Sequence, residues 1–434
     1  MRAVCSRFAV WSRLALVWLP LLSVLAVKTH AIAADRLAEP LSLADCVELA
    51  EHNAPLLMAQ QARALDAKAQ LSTAKTLQNP IVSYLAQDLG LHNAAGTPQL
   101  LHQAMISVPL LRGIVTAQEA RAASAQRDST EQALAEERRQ LRLAVGRAFF
   151  ELHLYQRLVA IEQQAVDIAT ALLQQNRQRE LRGDASALDV LRAQAELFDA
   201  QRGEELASRQ NRLLQLAFSM LLGAESPRPL QLRSDTLHDF ALQLERGAAG
   251  SEEKTLSALL AQTHERPDLR QAALDIQYAE ATIRLAKLRS VPLFDLQASV
   301  GARISNLGPG VVVALSTPLP LVDFGTGPRL RAQALLLQAK ANQLRSERQV
   351  QLDIASSFHL WQRSTDILHQ HARPLCDARK QALIATEKQF AAGITSLLEL
   401  ITAQRDLLAA QRAEASAQRD VEVSLWQLHM ALGR

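Results

Sequence analysis

The chain has 434 residues, of which 48% are apolar, 21% charged and 4% aromatic, with a formal net charge of +3. That charge does not mark a nucleic-acid binder: residues 1–33 hold four bases (Arg2, Arg7, Arg13, Lys28) and no acid, so without them the charge is −1. Three cysteines, one of them Cys5 in this leader, are too few for a disulfide framework in an exported chain of this size.

Residues 1–33 read as a secretory signal: a basic start, an apolar run from Leu14 to Val27, and "AIAA" from Ala31, which offers cleavage after Ala33. The apolar run is short for a membrane span and no stop-transfer pattern follows it. Cys46 and Cys376 are expected to be free thiols, and Cys46 lies too far beyond the cleavage site to carry a lipid anchor.

Residues 34–223 form a first structural repeat. A short helix leads to strands at about 80–90 and 100–111, joined by the polar "LHNAAGTPQ". From Gly113 to Gly183 there is no proline, which at 1.5 Å per residue allows a helix roughly 100 Å long. The chain turns at Gly183 into a second long helix. There Leu188, Leu191, Ala195, Phe198, Leu206, Leu213, Leu216 and Met220 make a stripe at coiled-coil spacing, read as helix packing. Residues 224–255 are a linker, too dense in Pro and Gly for helix.

Residues 256–434 repeat the plan. Strands are expected at about 294–305 and 311–319, joined by "NLGPG", followed by a helical hairpin turning at Gly393. Pro374 is expected to kink or break the long helix. The duplication is direct: "HNAPLLMAQQ" from His52 aligns with "HERPDLRQAA" from His264, and "GDASALDVLRAQ" from Gly183 with "GITSLLELITAQ" from Gly393.

Phe294, Leu296, Ala298, Val300, Ala302 and Ile304 alternate with polar or small residues, which makes a strand with one apolar face. On an exported chain, strands of this length suit a bilayer, and that apolar set is expected to face lipid. Strands cross lipid only as a closed barrel, and four cannot close, so two or three copies must combine. A small soluble sheet capping a helical protein is the alternative.

No catalytic, cofactor or metal constellation emerges, so no enzyme activity is expected. His369 and His371 are two apart on a helix and face differently. His92 and His102 bracket a loop. "GTGPRL" is no phosphate loop, because Pro328 removes an N–H.

The opening "LSLADCVELAEHNAPLL", strands flanked by Pro80, Pro109, Pro292 and Pro318, "LVDFG" at Leu321–Gly325 and two Gly-x-x-Ser-x-Leu-acid turns together resemble the TolC-like outer-membrane efflux proteins. The resemblance spans essentially all of the chain after the signal. It implies a mainly α fold with a β-barrel part: a homotrimer with a twelve-stranded outer-membrane barrel, continued by a periplasmic helical tunnel. It implies an exit duct for small toxic solutes, metal cations or drugs, in a Gram-negative outer membrane. The implied partners are a periplasmic adaptor and an inner-membrane pump of the resistance-nodulation-division type. Gly183, Ser186, Leu188 and Asp189, with Gly393, Ser396, Leu398 and Glu399, would then be the adaptor-contact tips. Glu399 would line the periplasmic gate, with Thr402 where a second acid is often found. A duct for type I protein secretion, or a soluble periplasmic scaffold without a pore, are the alternatives.

Overall fold

The computed structural model describes residues 41–87, 101–224, 230–233, 252–261, 266–292, 296–305, 308–318 and 324–433. The expected signal, Phe294, His92 and most of the linker lie outside these residues.

The first half runs α1 (Leu43–Asn53), α2 (Pro55–Lys75), β1 (Ile81–Gln87), β2 (Leu101–Pro109), α3 (Arg112–Leu181) and α4 (Ala187–Leu221). The second runs α5 (Glu252–Ala261), α6 (Pro267–Arg289), β3 (Gln297–Ser305), β4 (Gly308–Ser316), α7 (Thr326–Asp366), a π-helical segment (Ile367–Ala372), α8 (Arg373–Ala391) and α9 (Leu397–Ala431). At 70 residues, α3 is about 105 Å long. No helix of the described residues is long and apolar enough to cross a membrane.

Each end of the helical part is a four-helix slab that mixes helices from both halves of the chain. Next to the strands the order is α2–α3–α6–α7, and towards the far tips it is α4–α3–α9–α8. Near the strands the seams are lined largely by buried alanines (Ala64, Ala67, Ala122, Ala125, Ala272, Ala279, Ala332, Ala339), whose small side chains let the backbones approach closely. The largest core among the described residues lies at the waist, where Phe149 packs edge-to-face on Phe150 and Phe218 in one cluster with Leu49, Leu152 and Trp426. Gly146 makes room there: a Cβ on it would lie 2.0 Å from Trp426 Nε1. The indole N–H donates to the Arg142 carbonyl at 3.1 Å.

Pro374 neither breaks nor interrupts its helix. The chain stays helical from α7 through the π segment into α8, and the Arg373 N–H reaches back five residues to the Leu368 carbonyl. A proline ring clashes with the carbonyl four residues earlier, and widening the preceding turn by one residue removes that clash. Leu368 and Ala372 of this turn pack on Ala417 of α9.

The four strands form one antiparallel sheet in the order β1-β2-β3-β4. The registers align side chains in rows across it: Val82–Ile106–Val300–Val313, Tyr84–Ala104–Ala302–Val311, Ala86–His102–Ile304–Pro309, and Val108–Ala298–Leu315. Directly opposed residues share a face, so all four rows lie on one side. His102 is the one strongly polar side chain on that side, and its Nδ1 lies 2.5 Å from the Tyr84 hydroxyl. In "IVSYLAQ" apolar side chains fall on both parities, and the register sends Ile81 and Leu85 to the opposite face. β4 starts at Gly308, three residues before its expected start, so Pro309 and Gly310 of the expected loop belong to the strand. Pro309 is tolerated because it stands at the very start of β4, next to Gly308.

Candidate functional site

The tips are built by two copies of one local design. In the first, Gly183 stands just past α3 with φ +80°. Its N–H donates to the Glu180 carbonyl at 2.9 Å, and the Asp184 N–H to the Arg179 carbonyl at 2.8 Å. In the second, Gly393 (φ +73°) and Ile394 donate to Phe390 and Gln389 in the same pattern, at 3.0 and 2.9 Å. A left-handed residue followed by this pair of bonds is the Schellman stop, and it satisfies carbonyls that a helix end leaves open.

The returning helices are started by capping boxes. Ser186 Oγ accepts from the Asp189 N–H at 3.2 Å, while the Ser186 N–H donates to Asp189 Oδ2 at 3.2 Å. Ser396 and Glu399 repeat it at 3.3 and 3.2 Å. The Ser186 hydroxyl, donating to Asp189 Oδ2 at 2.7 Å, is the main reason the Asp189 carboxyl is held below the usual range, with Arg192 and Arg179 adding to it. A depressed folded pKa stabilises this turn above the ordinary carboxylate pKa, and that contribution is lost as pH falls through the lowered value. Thr402 Oγ1 donates to the Leu398 carbonyl at 2.8 Å, so this side chain is turned onto its own helix.

Leu188 and Leu398 are each 53% exposed at the tips, and Leu181 and Ile394 more so, whereas Leu397, Leu400 and Ile401 are buried with Leu383 and Phe390. The two hairpins are joined by contacts that no local pattern announces. The Arg179 guanidinium lies 5.0 Å over the Phe390 ring. Arg405 on α9 pairs with Glu196 and Asp199 on α4, the latter at 3.1 Å, and Arg412 pairs through two bonds with the buried Glu162 at 2.6 and 2.7 Å. Partners this far apart in sequence carry no spacing signal; only their charge balance could have suggested them.

The coiled-coil stripe has its own outcome. Leu188, Leu191, Phe198, Leu206, Leu213, Leu216 and Met220 on α4 are all exposed. On α9, also 35 residues long, Leu398 is the one large apolar side chain so exposed. α7 and α8 at the opposite edge expose Leu330, Leu337, Leu344, Leu352, Leu360, Leu375 and Ile384. Central helices therefore bury their apolar faces within the chain, and edge helices do not.

Among the described residues no group of three or more His, Cys, Asp or Glu side chains could hold a metal ion. His369 lies in the π segment, 3.3 Å from Arg373 Nη1. Cys376 is half-buried, and burial, reinforced by Glu414, pushes its thiol up to about 11, which leaves it unreactive near neutrality.

The sequence model of the outer membrane efflux proteins matches residues 46–224 and 259–434, both halves of the duplicated plan. The chain belongs to that family. As an outer membrane efflux protein it works in the outer membrane. Solved structures share its fold across 90% of the chain. CusC, described in connection with folding and transmembrane channel formation, has a TM-score of 0.73 at 17% identity over 91% of its own chain. The outer membrane protein VceC of Vibrio cholerae has 0.70 at 16% over 96%, and the Campylobacter jejuni CmeC outer membrane channel 0.70 at 14% over 85%. No curated relative matches by sequence.

Proposed function

We propose that this efflux protein is the exit duct of a tripartite exporter, three copies closed into one ring with a twelve-stranded barrel and a helical tunnel. The carrying observation is that both edges of the protomer are unfinished. One edge offers β1 and the exposed leucines of α2 and α4; the other offers β4 and those of α7 and α8. In lipid an open strand edge leaves backbone groups unpaired, so the sheet must close. Unlike edges on opposite sides join head to tail, and such contacts close into a ring.

The unheated, detergent-extracted protein is expected to have about three times the chain mass; a monomer or dimer would overturn the ring. Retention in the membrane through a carbonate wash is expected as well, whereas a soluble scaffold would wash off.

In this reading the tips, at Gly183–Asp189 and Gly393–Glu399, receive a periplasmic adaptor that links the duct to an inner-membrane pump of the resistance-nodulation-division type. The cargo is small toxic solutes, metal cations or drugs. Three Glu399 carboxylates near the axis, beside Thr402, favour cations at the periplasmic constriction. Gly393 tests the tip directly. A Cβ there meets nothing within 4 Å, so substitution acts through the left-handed backbone alone. Gly393→Val is expected to add about 1–2 kcal/mol of local strain. It should cut adaptor co-purification and export-dependent resistance at least ten-fold while trimer yield stays normal. Intact resistance would exclude this turn as the adaptor contact.

A further inference from the structure

We infer that Arg303 forms an anion-binding ring at the outer mouth of the duct, a step that rests on the trimeric reading above. Arg303 is the one Lys, Arg, Asp or Glu among the residues of the four strands. Its row, Leu85–Gln103–Arg303–Gly310, lies on the face opposite Val300 and Ile304, which is the lumen side if the apolar rows face lipid. The row is two residues from the Ser305↔Gly308 pair, at the sheet end away from the helices, and hence near the external rim.

The arginine is exposed, with no hydrogen bond or ion pair among the described residues. A Cβ on Gly310 would lie 3.9 Å from both Nε and Nη2, so the guanidinium rests along the bare backbone of β4. Its donors are thus left for a solute.

A twelve-stranded barrel has a backbone diameter of roughly 24 Å, which puts each guanidinium about 8 Å from the axis. At physiological salt three such charges enrich a monovalent anion at the axis about two- to three-fold, and a trivalent anion more than ten-fold. The ring is therefore a weak site for polyvalent anions, at the opposite end of the duct from the Glu399 tips.

The test is single-channel recording of the purified full-length protein in a planar bilayer, with hexacyanoferrate(III) as the probe. It is added on the side where the barrel emerges. Wild type is expected to show block, R303K to keep it, and R303Q to weaken it at least ten-fold. Conductance of R303Q in 1 M salt, where charge is screened, should match wild type and shows that the channel is intact. Absence of channels from the wild type would sink the trimeric duct itself. Conducting channels whose block is the same in R303Q would overturn the ring alone.

Discussion

Val300→Arg is expected to abolish assembly in the outer membrane. Val300 sits in the row Val82–Ile106–Val300–Val313, on the apolar face of an inner strand, and is 56% exposed in the protomer. An arginine facing lipid near the bilayer midplane costs about 2–4 kcal/mol. A ring of three carries the substitution three times, roughly 6–12 kcal/mol per assembly, comparable to the whole stability of a domain. Trimer yield on unheated gels is expected to fall more than ten-fold. Val312→Arg is the control, because Val312 shares the opposite face with Ser83, Met105 and Gly301 and would point into water. Equal yields from the two variants would mean that the apolar face does not meet lipid.

Arg266→Ala is the second large effect, and it tests the waist. Arg266 is 1% exposed, immediately before the Pro267 that opens α6. It grips Asp268 with two bonds, at 3.0 and 2.7 Å, and donates from Nη1 to the Ala431 carbonyl at the end of α9, at 2.8 Å. Asp353 stands 3.5 Å away, and Arg139 holds the adjoining Met430 carbonyl at 3.0 Å. Removing the guanidinium strands a buried carbonyl and two carboxylates, at a cost of about 3–5 kcal/mol for a fully buried pair. Because Asp268 and Asp353 keep partial contact with solvent, the lower end applies. The midpoint of heat-induced protease susceptibility should drop by several degrees, with Arg266→Lys intermediate because it keeps the charge and loses the fork. No drop in the alanine variant would mean that α9 is anchored elsewhere.

The first-half counterpart of this clasp is lighter. Asn53 Nδ2 donates to the Leu222 carbonyl at 3.2 Å, beside Gly223, just as Arg266 serves Ala431 beside Gly433. Both donors pack on the glycine that follows the closing helix, but the accepting carbonyl stands one residue before Gly223 and two before Gly433.

The sequence by itself determined what is local. Gly183 and Gly393 stop helices, Ser186 and Ser396 start them with their acids three residues on, and period-two alternation marks residues 294–305 as a strand, because dihedral preference and hydrogen-bond reach act within a few residues. It also carried the closure argument, since lipid forbids an open sheet whatever the fold. Tertiary structure alone decided which long-range partners meet. The register that places Tyr84 beside Ala104 depends on backbone bonds between strands. The pairing of Arg412 with Glu162 depends on how two hairpins lie together. That the turn before Pro374 widens into a π segment, with Leu368 and Ala372 packed on Ala417 of α9, is also a tertiary outcome. Whether the α4 leucines are core or edge was likewise invisible: the 3.5-residue period specifies that a helix face is apolar, and only the arrangement of neighbouring helices decides what covers it.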